Sequence, residues 1–375
     1  MSNVLSNSFA LVLATSKATM EPNNTIVVDM ANNQQEEDFY HKMVKAIAKE
    51  TSRKGFKIDK YYKNFQRIKE LDERVGKSAN DVVFCERRAD NVPVVLKIKT
   101  VTPNSRDWAD EYNHIKFEIY YSDKLCTKSH PNIIHITQFW IDEPSLSVYI
   151  EMEKCEQSLS AYVKKYNHQV DMRMCCSLLK QAVQALYFCH SHNVIHGDVK
   201  EANMLLIRDP KHKDERYILK LADFEHSREV GYEGKIPYTE QINDRALLPF
   251  EVLTGQAHLS YAVDMHALGC TFLTMIGGDE NLFNEFDWQK QLNRINEHSG
   301  PISDALWASC NNHRKLTRPL AENVMPCFAD AFPFLRNHDD CVEKFVKRLM
   351  DIDQTTRMTS FSAKHDPFFY VFKQY

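Results

Sequence analysis

The hydrophobic pattern of the chain changes near Glu156, and this change limits the possible folds more than any other feature. Before it, short β-branched and apolar runs alternate with turn-forming clusters, as they do in antiparallel sheets. One longer polar stretch with scattered apolar positions, 108–125, predicts a single helix among them. The short runs predict strands at 67–75, 82–87, 92–99, 134–141 and 147–152.

Beyond this point the pattern favours helices. Apolar residues predict a long helix over 171–190, with Asp171 as its N-cap. A hairpin of 204–207 and 217–222 follows, and helices are predicted from Tyr261 to the end. A β-rich half before an α-rich half predicts an α+β fold with two packed lobes and a cleft between them. We place the N-lobe at 66–153, the hinge at 153–156 and the C-lobe at 157–375.

The first 65 residues are rich in Asn, Gln, Ser and Thr, which predicts a polar, flexible extension ahead of one folded domain at 66–375. We interpret its basic stretch, from Lys45 to Lys63, as a solvated face, with a docking or nuclear-import signal as the alternative. The net charge of the chain is −4. No global basic field exists, so no nucleic-acid partner is expected.

Ten cysteines occur without zinc-ligand spacing, and the adjacent Cys175 and Cys176 lie in an apolar helical stretch. This usage indicates a reducing compartment, so we expect a cytoplasmic or nuclear protein. The apolar run at 9–14 lacks a preceding basic residue and a cleavage site, and we do not interpret it as a signal peptide. No run approaches the roughly 18 apolar residues of a membrane span, and no membrane partner is expected.

The segment His-Gly-Asp-Val-Lys-Glu-Ala-Asn at 196–203 carries the most specific chemistry. Asp198 could accept the proton of an attacking hydroxyl, and Lys200 could neutralise a migrating phosphoryl group. Asn203 and the later Asp223 offer hard oxygen ligands of the kind that Mg²⁺ prefers. These residue types, in this order, suit phosphoryl transfer.

This segment resembles the His-Arg-Asp-Leu-x-x-x-Asn catalytic loop of the eukaryotic protein kinases, with the same spacing from Asp to Asn. The resemblance extends from about 70 to about 370 and implies ATP, Mg²⁺ and protein substrates. Val-Val-Leu-Lys at 94–97 is similar to the family's Val-Ala-Ile-Lys strand, so Lys97 would contact the α- and β-phosphates. Glu118 matches the helix glutamate that orients this lysine, with Glu111 as the alternative.

The resemblance also assigns the surroundings of the nucleotide. The segment 149–155 is similar to the interlobe hinge, with Met152 as gatekeeper and backbone groups from Glu153 to Cys155 facing adenine. Gly76, Ser78 and Val83 correspond to positions of the glycine-rich loop.

Three further positions match residues that stabilise the family's fold. Pro-Phe-Glu at 249–251 resembles the Ala-Pro-Glu motif, and by resemblance Arg357 pairs with Glu251. Asp264 matches the buried aspartate of the central helix.

Several positions depart from the family pattern. Ser78 and Asp81 replace two glycines of the phosphate loop, which removes backbone freedom there. Glu225 replaces the glycine of Asp-Phe-Gly and adds an anion. Gly197 replaces an arginine that in the family usually pairs with a phosphorylated residue. We therefore expect activity to depend little on phosphorylation at 238 or 239.

All six charged or amide positions of the phosphoryl-transfer machinery are present, which favours an active kinase over a pseudokinase that acts as a binding scaffold. Lys200 resembles the Ser/Thr type, and the long activation segment suits protein substrates better than small molecules. Met152 with Glu118 and its neighbour Ile119 is similar to the monopolar-spindle checkpoint kinases, and the subfamily stays open. Trp288, Phe283 and Trp307 indicate either a docking face or packing against the large lobe.

Overall fold

A computed structural model describes most of the chain from residue 91 onward, and shorter pieces before it. The predicted N-terminal extension and its basic stretch lie almost wholly outside the described residues. Two dipeptide strands within it, β1 (Thr19–Met20) and β2 (Ile26–Val27), pair with each other. The described ranges are 19–20, 26–27, 65–67, 81–87, 91–100, 108–126, 129–142, 147–211, 216–231, 235–237, 248–256, 258–277, 287–311 and 314–372.

An antiparallel sheet of five strands occupies the N-terminal half, in the order β3-β4-β5-β7-β6. Four predicted strands are confirmed to within two residues of their bounds. The strand predicted at 67–75 meets the structure only in β3, because 68–80 lie outside the described residues. The strands are β3 (Phe65–Arg67), β4 (Asp81–Arg87), β5 (Pro93–Thr100), β6 (Ile136–Asp142) and β7 (Ser147–Glu153).

The predicted helix of this half is confirmed as α1 (Trp108–Cys126). Its apolar residues Ile115 and Ile119 are buried in one cluster with Val95 and Ile150 of the sheet. Burying apolar side chains between helix and sheet is the main force that holds them together. This packing fixes the position of α1 against β5. It therefore determines which side chains of α1 reach the lysines of β5.

The C-terminal half is mainly helical, and the prediction of helices there is confirmed. Asp171 is the N-cap of the long helix α3, where its Oδ1 accepts the N–H groups of Arg173 and Met174 at 3.0 and 3.3 Å. The described helices of this half are α2 (Leu159–Lys165), α3 (Met172–Ser191), α4 (Phe250–Leu253), α5 (Ala262–Ile276), α6 (Trp288–Ser299), α7 (Asp304–Ala308), α8 (Phe328–Ala331), α9 (Asp340–Leu349), α10 (Ser360–Lys364) and α11 (Phe368–Val371).

Short strands connect these helices. The predicted hairpin is confirmed as β10 with β11, and β8 pairs with the other edge of β10. Two further pairs are antiparallel, β12 with β9 and β13 with β14. These strands are β8 (Gln157–Ser158), β9 (Val194–Ile195), β10 (Met204–Arg208), β11 (Tyr217–Leu221), β12 (Arg228–Glu229), β13 (Lys235–Pro237) and β14 (His258–Ser260).

Arg357 and Glu251 form a bidentate ion pair, as the resemblance implied. Their two N–O distances are 2.6 and 3.0 Å, and both side chains are fully buried. Arg357 also donates to the carbonyl of Ala262, at the beginning of α5. Because each buried charge has its partner, the pair ties α4 to the segment that follows α9.

The two described tryptophans of the uncertain region favour packing. Trp288 and Trp307 are partly buried and pack against a second hydrophobic cluster, which includes Leu253 and Leu292. Phe283 lies outside the described residues. Among the described helices, none is both long and apolar enough to cross a membrane.

Candidate active site

The loop that follows β9 is held in place by Asp264, a residue of the central helix α5. Asp264 Oδ2 accepts the N–H of His196 at 2.8 Å, and its Oδ1 accepts the N–H of Gly197 at 2.9 Å. His190 Nε2 lies 2.9 Å from the same carboxylate. Burial alone would raise the pKa of Asp264, but the hydrogen bond and charge of His190 lower it overall. Asp264 is therefore an ionised carboxylate that fixes the loop through two backbone groups.

Gly197 occupies a backbone conformation that favours glycine. Its φ is +79°, in the left-handed region. A Cβ atom at this position would lie 2.5 Å from the carbonyl oxygen of His226. The replacement of arginine by glycine is thus accompanied by a close approach of the loop to the segment after Phe224.

Three predicted site residues of this loop lie together. Asp198 is buried, and its Oδ2 accepts the Asn203 amide at 2.7 Å and lies 3.0 Å from Lys200 Nζ. Asn203 also donates to the backbone carbonyl of Asp198 at 2.9 Å. Both of these hydrogen bonds use the NH₂ group of Asn203, which leaves its carbonyl oxygen available to a cation. The loop thus presents an oriented carboxylate next to an ammonium group.

His196 supports this loop as a neutral ring. Its Nε2 lies 3.1 Å from the carbonyl of Ala222, and its Nδ1 accepts the N–H of Asp198 at 3.3 Å. Because a carbonyl can only accept, Nε2 must carry the proton. Burial lowers the pKa of His196 below its ordinary value, despite the nearby carboxylates of Asp264 and Asp198.

Lys97 on β5 joins the sheet to the loop after β11. Its Nζ lies 2.8 Å from Glu118 Oε1 and 3.1 Å from Asp223 Oδ1. Burial disfavours the charged lysine, but the carboxylates of Asp223, Glu118 and Glu225 more than offset this and raise the pKa of Lys97 well above its ordinary value. Of the two candidate glutamates, Glu118 is the one in contact, and the side chain of Glu111 lies outside the described residues.

Asp223 stands at a special point of the backbone, with a φ of +69°. Burial alone would raise its pKa, but Lys97 and Lys99 lower it well below the ordinary value. The next residue, Phe224, is fully buried and meets the ring of His196 edge-on, with ring centroids 5.0 Å apart. Packing of Phe224 therefore directs the ionised carboxylate of Asp223 towards Lys97.

Two residues of the site were not predicted from the sequence. Lys99 is buried, lies 3.0 Å from Glu118 Oε2 and contacts the carboxylate of Glu225. The signal for Lys99 was present, because residues two apart on a strand lie on the same face, and Lys97 was already assigned. Glu225 was expected only to add an anion, and in the structure it is paired with Lys99.

The residues of the predicted hinge lie where β7 ends. Met152 is buried on β7 opposite Val95 of β5. The N–H of Glu153 donates to the carbonyl of His135 at 3.0 Å. That backbone groups from Glu153 to Cys155 face adenine stays a prediction. Within the described part of the chain, the backbone groups of Lys154 and Cys155 have no hydrogen-bond partner, so both could reach a ligand.

The predicted phosphate loop lies only partly within the described residues. Gly76 and Ser78 lie outside the described residues, and so do 238 and 239. The register pairs Val82 with Lys97 and Val83 with Leu96. Since cross-strand partners share a face of the sheet, this register favours Val82 over Val83 as the position next to the nucleotide.

A lysine-bearing antiparallel sheet, one glutamate-bearing helix and a loop with aspartate, lysine and asparagine together have the arrangement of a protein kinase. The chain belongs to that family, since the family model described as protein kinase domain matches residues 70–369. It is also similar to cyclin-dependent kinase C-1 of Arabidopsis thaliana, with 25% identity over 229 residues. That match covers 60% of this chain and 42% of the relative, so the chain spans less than half of the relative's length.

Proposed function

We propose that the chain is a Mg-ATP-dependent protein kinase that transfers the γ-phosphate to serine or threonine of protein substrates. In this proposal two lobes enclose the nucleotide, and the sheet forms one wall of the cleft. The observation that carries the proposal is the position of Lys97, whose Nζ is within 3.1 Å of both Glu118 and Asp223. That contact brings a phosphate-binding cation next to an ionised, metal-binding carboxylate.

Each residue then has a role that follows from its contacts. Lys97 binds the α- and β-phosphates, and Glu118 holds its ammonium in place. Asp198 accepts the proton of the substrate hydroxyl, since Asn203 and Lys200 both orient its carboxylate. Lys200 then neutralises charge on the phosphoryl group as it moves to that hydroxyl.

The donor set fits Mg²⁺. Asp223 offers an ionised carboxylate, and the carbonyl oxygen of Asn203 is available because its NH₂ group is occupied by Asp198. Hard oxygen ligands in small number, with phosphates completing the shell, are what Mg²⁺ prefers. Held by these two residues, the ion would supply positive charge to the phosphates during transfer.

Three further features support parts of the proposal. Lys200 favours the Ser/Thr type by resemblance. The buried pair of Glu251 and Arg357 ties down the end of a long activation segment, which suits a protein substrate. The eight cysteines whose side chains the structure describes are free thiols, which supports a cytoplasmic or nuclear location.

A scaffolding pseudokinase is the second candidate, and one observation favours it. Carboxylate oxygens of Glu118, Asp223 and Glu225 all lie within 4.8 Å of one another. Such a concentration of negative charge would repel a triphosphate. Two buried lysines, Lys97 and Lys99, lie among these carboxylates and offset most of that charge, so we favour catalysis.

The test is transfer of radiolabelled phosphate from ATP to a generic basic protein, with wild type and Asp198→Asn compared. We expect at least a 100-fold loss in the variant, since general-base residues contribute about that much. Asp340→Asn, an exposed carboxylate at the beginning of α9, is the matched control and should keep full activity. Equal background in wild type and Asp198→Asn, with Mg-ATP still raising the melting temperature, would establish the scaffold instead.

A further inference from the structure

We propose that Lys99 and Glu225 are positioning residues, a compensating ion pair that keeps Lys97 and Asp223 in their working arrangement. The inference rests on the proposed function and concerns how its site is held. Lys99 Nζ lies 3.0 Å from Glu118 Oε2 and also contacts Glu225 Oε2. Lys99 therefore bridges the glutamate of α1 and the glutamate after Phe224.

Five charged side chains of the site contact one another in series, and their charges alternate in sign. The order of contacts is Asp223, Lys97, Glu118, Lys99 and Glu225. The side chains of both lysines and of Glu118 are at most 8% exposed, and those of Asp223 and Glu225 are 22% and 16% exposed. Water screens such charges weakly, so each one depends on its neighbours. Without Lys99, three carboxylates would compete for the single ammonium of Lys97.

The pair connects three parts of the fold. Lys99 lies on β5, Glu118 on α1, and Glu225 in the turn between β11 and β12. Protein kinases have glycine at the position of Glu225, which leaves that turn conformationally free. Here a carboxylate bound to Lys99 restrains the turn and, with it, the neighbouring Asp223.

Further contacts hold β12, which follows this turn, against α1. The guanidinium of Arg228 lies 3.9 Å from the ring centroid of Phe117, a cation–π contact. The N–H of Glu229 donates to the hydroxyl of Tyr121 at 2.7 Å. These contacts involve no phosphate group. They are therefore consistent with α1 and the turn assembling without the arginine that Gly197 replaces.

The charges predict an asymmetric mutational response. Lys99→Met removes the lysine partner of the partly buried Glu225 and leaves only the His226 ring, at 3.6 Å, beside its carboxylate, so Glu225 then competes for Lys97. Glu225→Gly removes one carboxylate but leaves Lys99 paired with Glu118. The first change should therefore damage the site more than the second, and the second should partly rescue the first.

The experiment is a double-mutant cycle with steady-state kinetics for ATP. We expect Lys99→Met to lower kcat/KM about 30-fold, mainly through a higher KM for ATP, and Glu225→Gly to lower it about 3-fold. The double variant should recover to within about 5-fold of wild type. Lys99→Arg keeps the cation and should stay within about 3-fold. Lys347→Met, exposed on α9, is the control.

Two results would overturn the proposal. One is a double variant no better than Lys99→Met. The other is an unchanged KM for ATP together with a kcat that falls only as much as the folded fraction of the protein falls. A purely structural residue would give that pattern. Where Lys99→Met does not fold, recovery of cooperative unfolding in the double variant provides the same test.

Failure of the proposed function can be distinguished from failure of this inference. A wild type without phosphoryl transfer is instead titrated with Mg-ATP, and the cycle is measured on the dissociation constant. Coupling of about 10-fold between positions 99 and 225 in that constant supports the positioning role, even though catalysis is then excluded. Additive effects on nucleotide affinity would reject the positioning role.

Discussion

Lys97 Nζ lies 2.8 Å from Glu118 Oε1, which places a strand lysine and a helix glutamate in direct contact across the interface of β5 and α1. Both side chains are buried, with exposed fractions of 8% and 2%. The contact depends on apolar packing of α1 against the sheet. Any change that moves α1 therefore acts on the proposed phosphate-binding lysine.

Removing the charge of either Lys97 or Glu118 should weaken catalysis, and the loss should be larger for Lys97. We expect Lys97→Met to lower kcat/KM for ATP at least about 100-fold, because the charge that contacts the phosphates is lost. Glu118→Gln should cost about 10-fold, since Asp223 still holds Lys97. Initial rates across ATP concentrations measure both effects. Glu322→Gln, exposed in the C-terminal half, is the control, and unchanged kinetics in Lys97→Met would contradict the assignment.

Gly197→Ala should destabilise the fold strongly. The added Cβ meets a backbone oxygen at 2.5 Å, and a φ of +79° strains any L side chain. We expect a loss of about 3 kcal/mol in the free energy of unfolding. Gly300→Ala separates the two causes, because Gly300 also has a positive φ, +101°, but nothing within 4 Å of its Cβ. That variant should lose about 2 kcal/mol, the cost of its backbone conformation alone, and equal losses in urea unfolding would show that the close approach to His226 is unimportant.

Removing one charge of the Arg357–Glu251 ion pair should cost more stability than replacing both residues with apolar ones. Arg357→Met alone leaves a fully buried carboxylate without its cation, at a cost of about 3–5 kcal/mol in the free energy of unfolding. The combination with Glu251→Leu removes both charges and should recover more than half of that loss. Thermal and urea unfolding measure it. A double variant less stable than either single one would contradict this account.

Stability should fall as pH rises through neutrality because of Glu201. Its carboxylate accepts the hydroxyl of Thr274 on α5, and burial raises the pKa of Glu201 from 4.5 to about 7. A raised pKa means that the folded state holds the proton more tightly than the unfolded state. The resulting stability is complete below about pH 4.5 and is lost as pH rises through about 7.

Glu201→Gln removes this titration, so its curve of unfolding free energy against pH should be flatter than that of wild type between pH 5 and 8. The difference between the two curves should approach about 3 kcal/mol at most. Taking this difference cancels the contribution of every other titrating group. Parallel curves for the two proteins would contradict the raised pKa.

The sequence predicted local structure well where a periodic pattern or a cap was involved. Four strands and the helices α1 and α3 agree to within two residues, and Asp171 caps α3 as expected. The contacts of Asp198 with Lys200 and Asn203 were also accessible, since all three lie on one short loop and spacing alone brings them together. Local chemistry determines these features.

Features that depend on distant packing were not predictable in the same way. Glu225 and Lys99 are 126 positions apart, and their contact requires that β5, α1 and the turn after β11 first assemble. The hydrogen bond from the N–H of Glu153 to the carbonyl of His135, just before β6, likewise joins segments that are distant in the sequence. Register and tertiary packing, which no single segment encodes, decide both outcomes.

The central claim is that Lys97 and a metal ion held at Asp223 together bind the triphosphate of ATP. Calorimetric titration with ATP, with and without Mg²⁺, tests it most directly. Wild type should bind Mg-ATP at least about 10-fold more tightly than free ATP, and Asp223→Asn should abolish that difference. Equal affinity of wild type for ATP with and without Mg²⁺, or no binding at all, would contradict the claim.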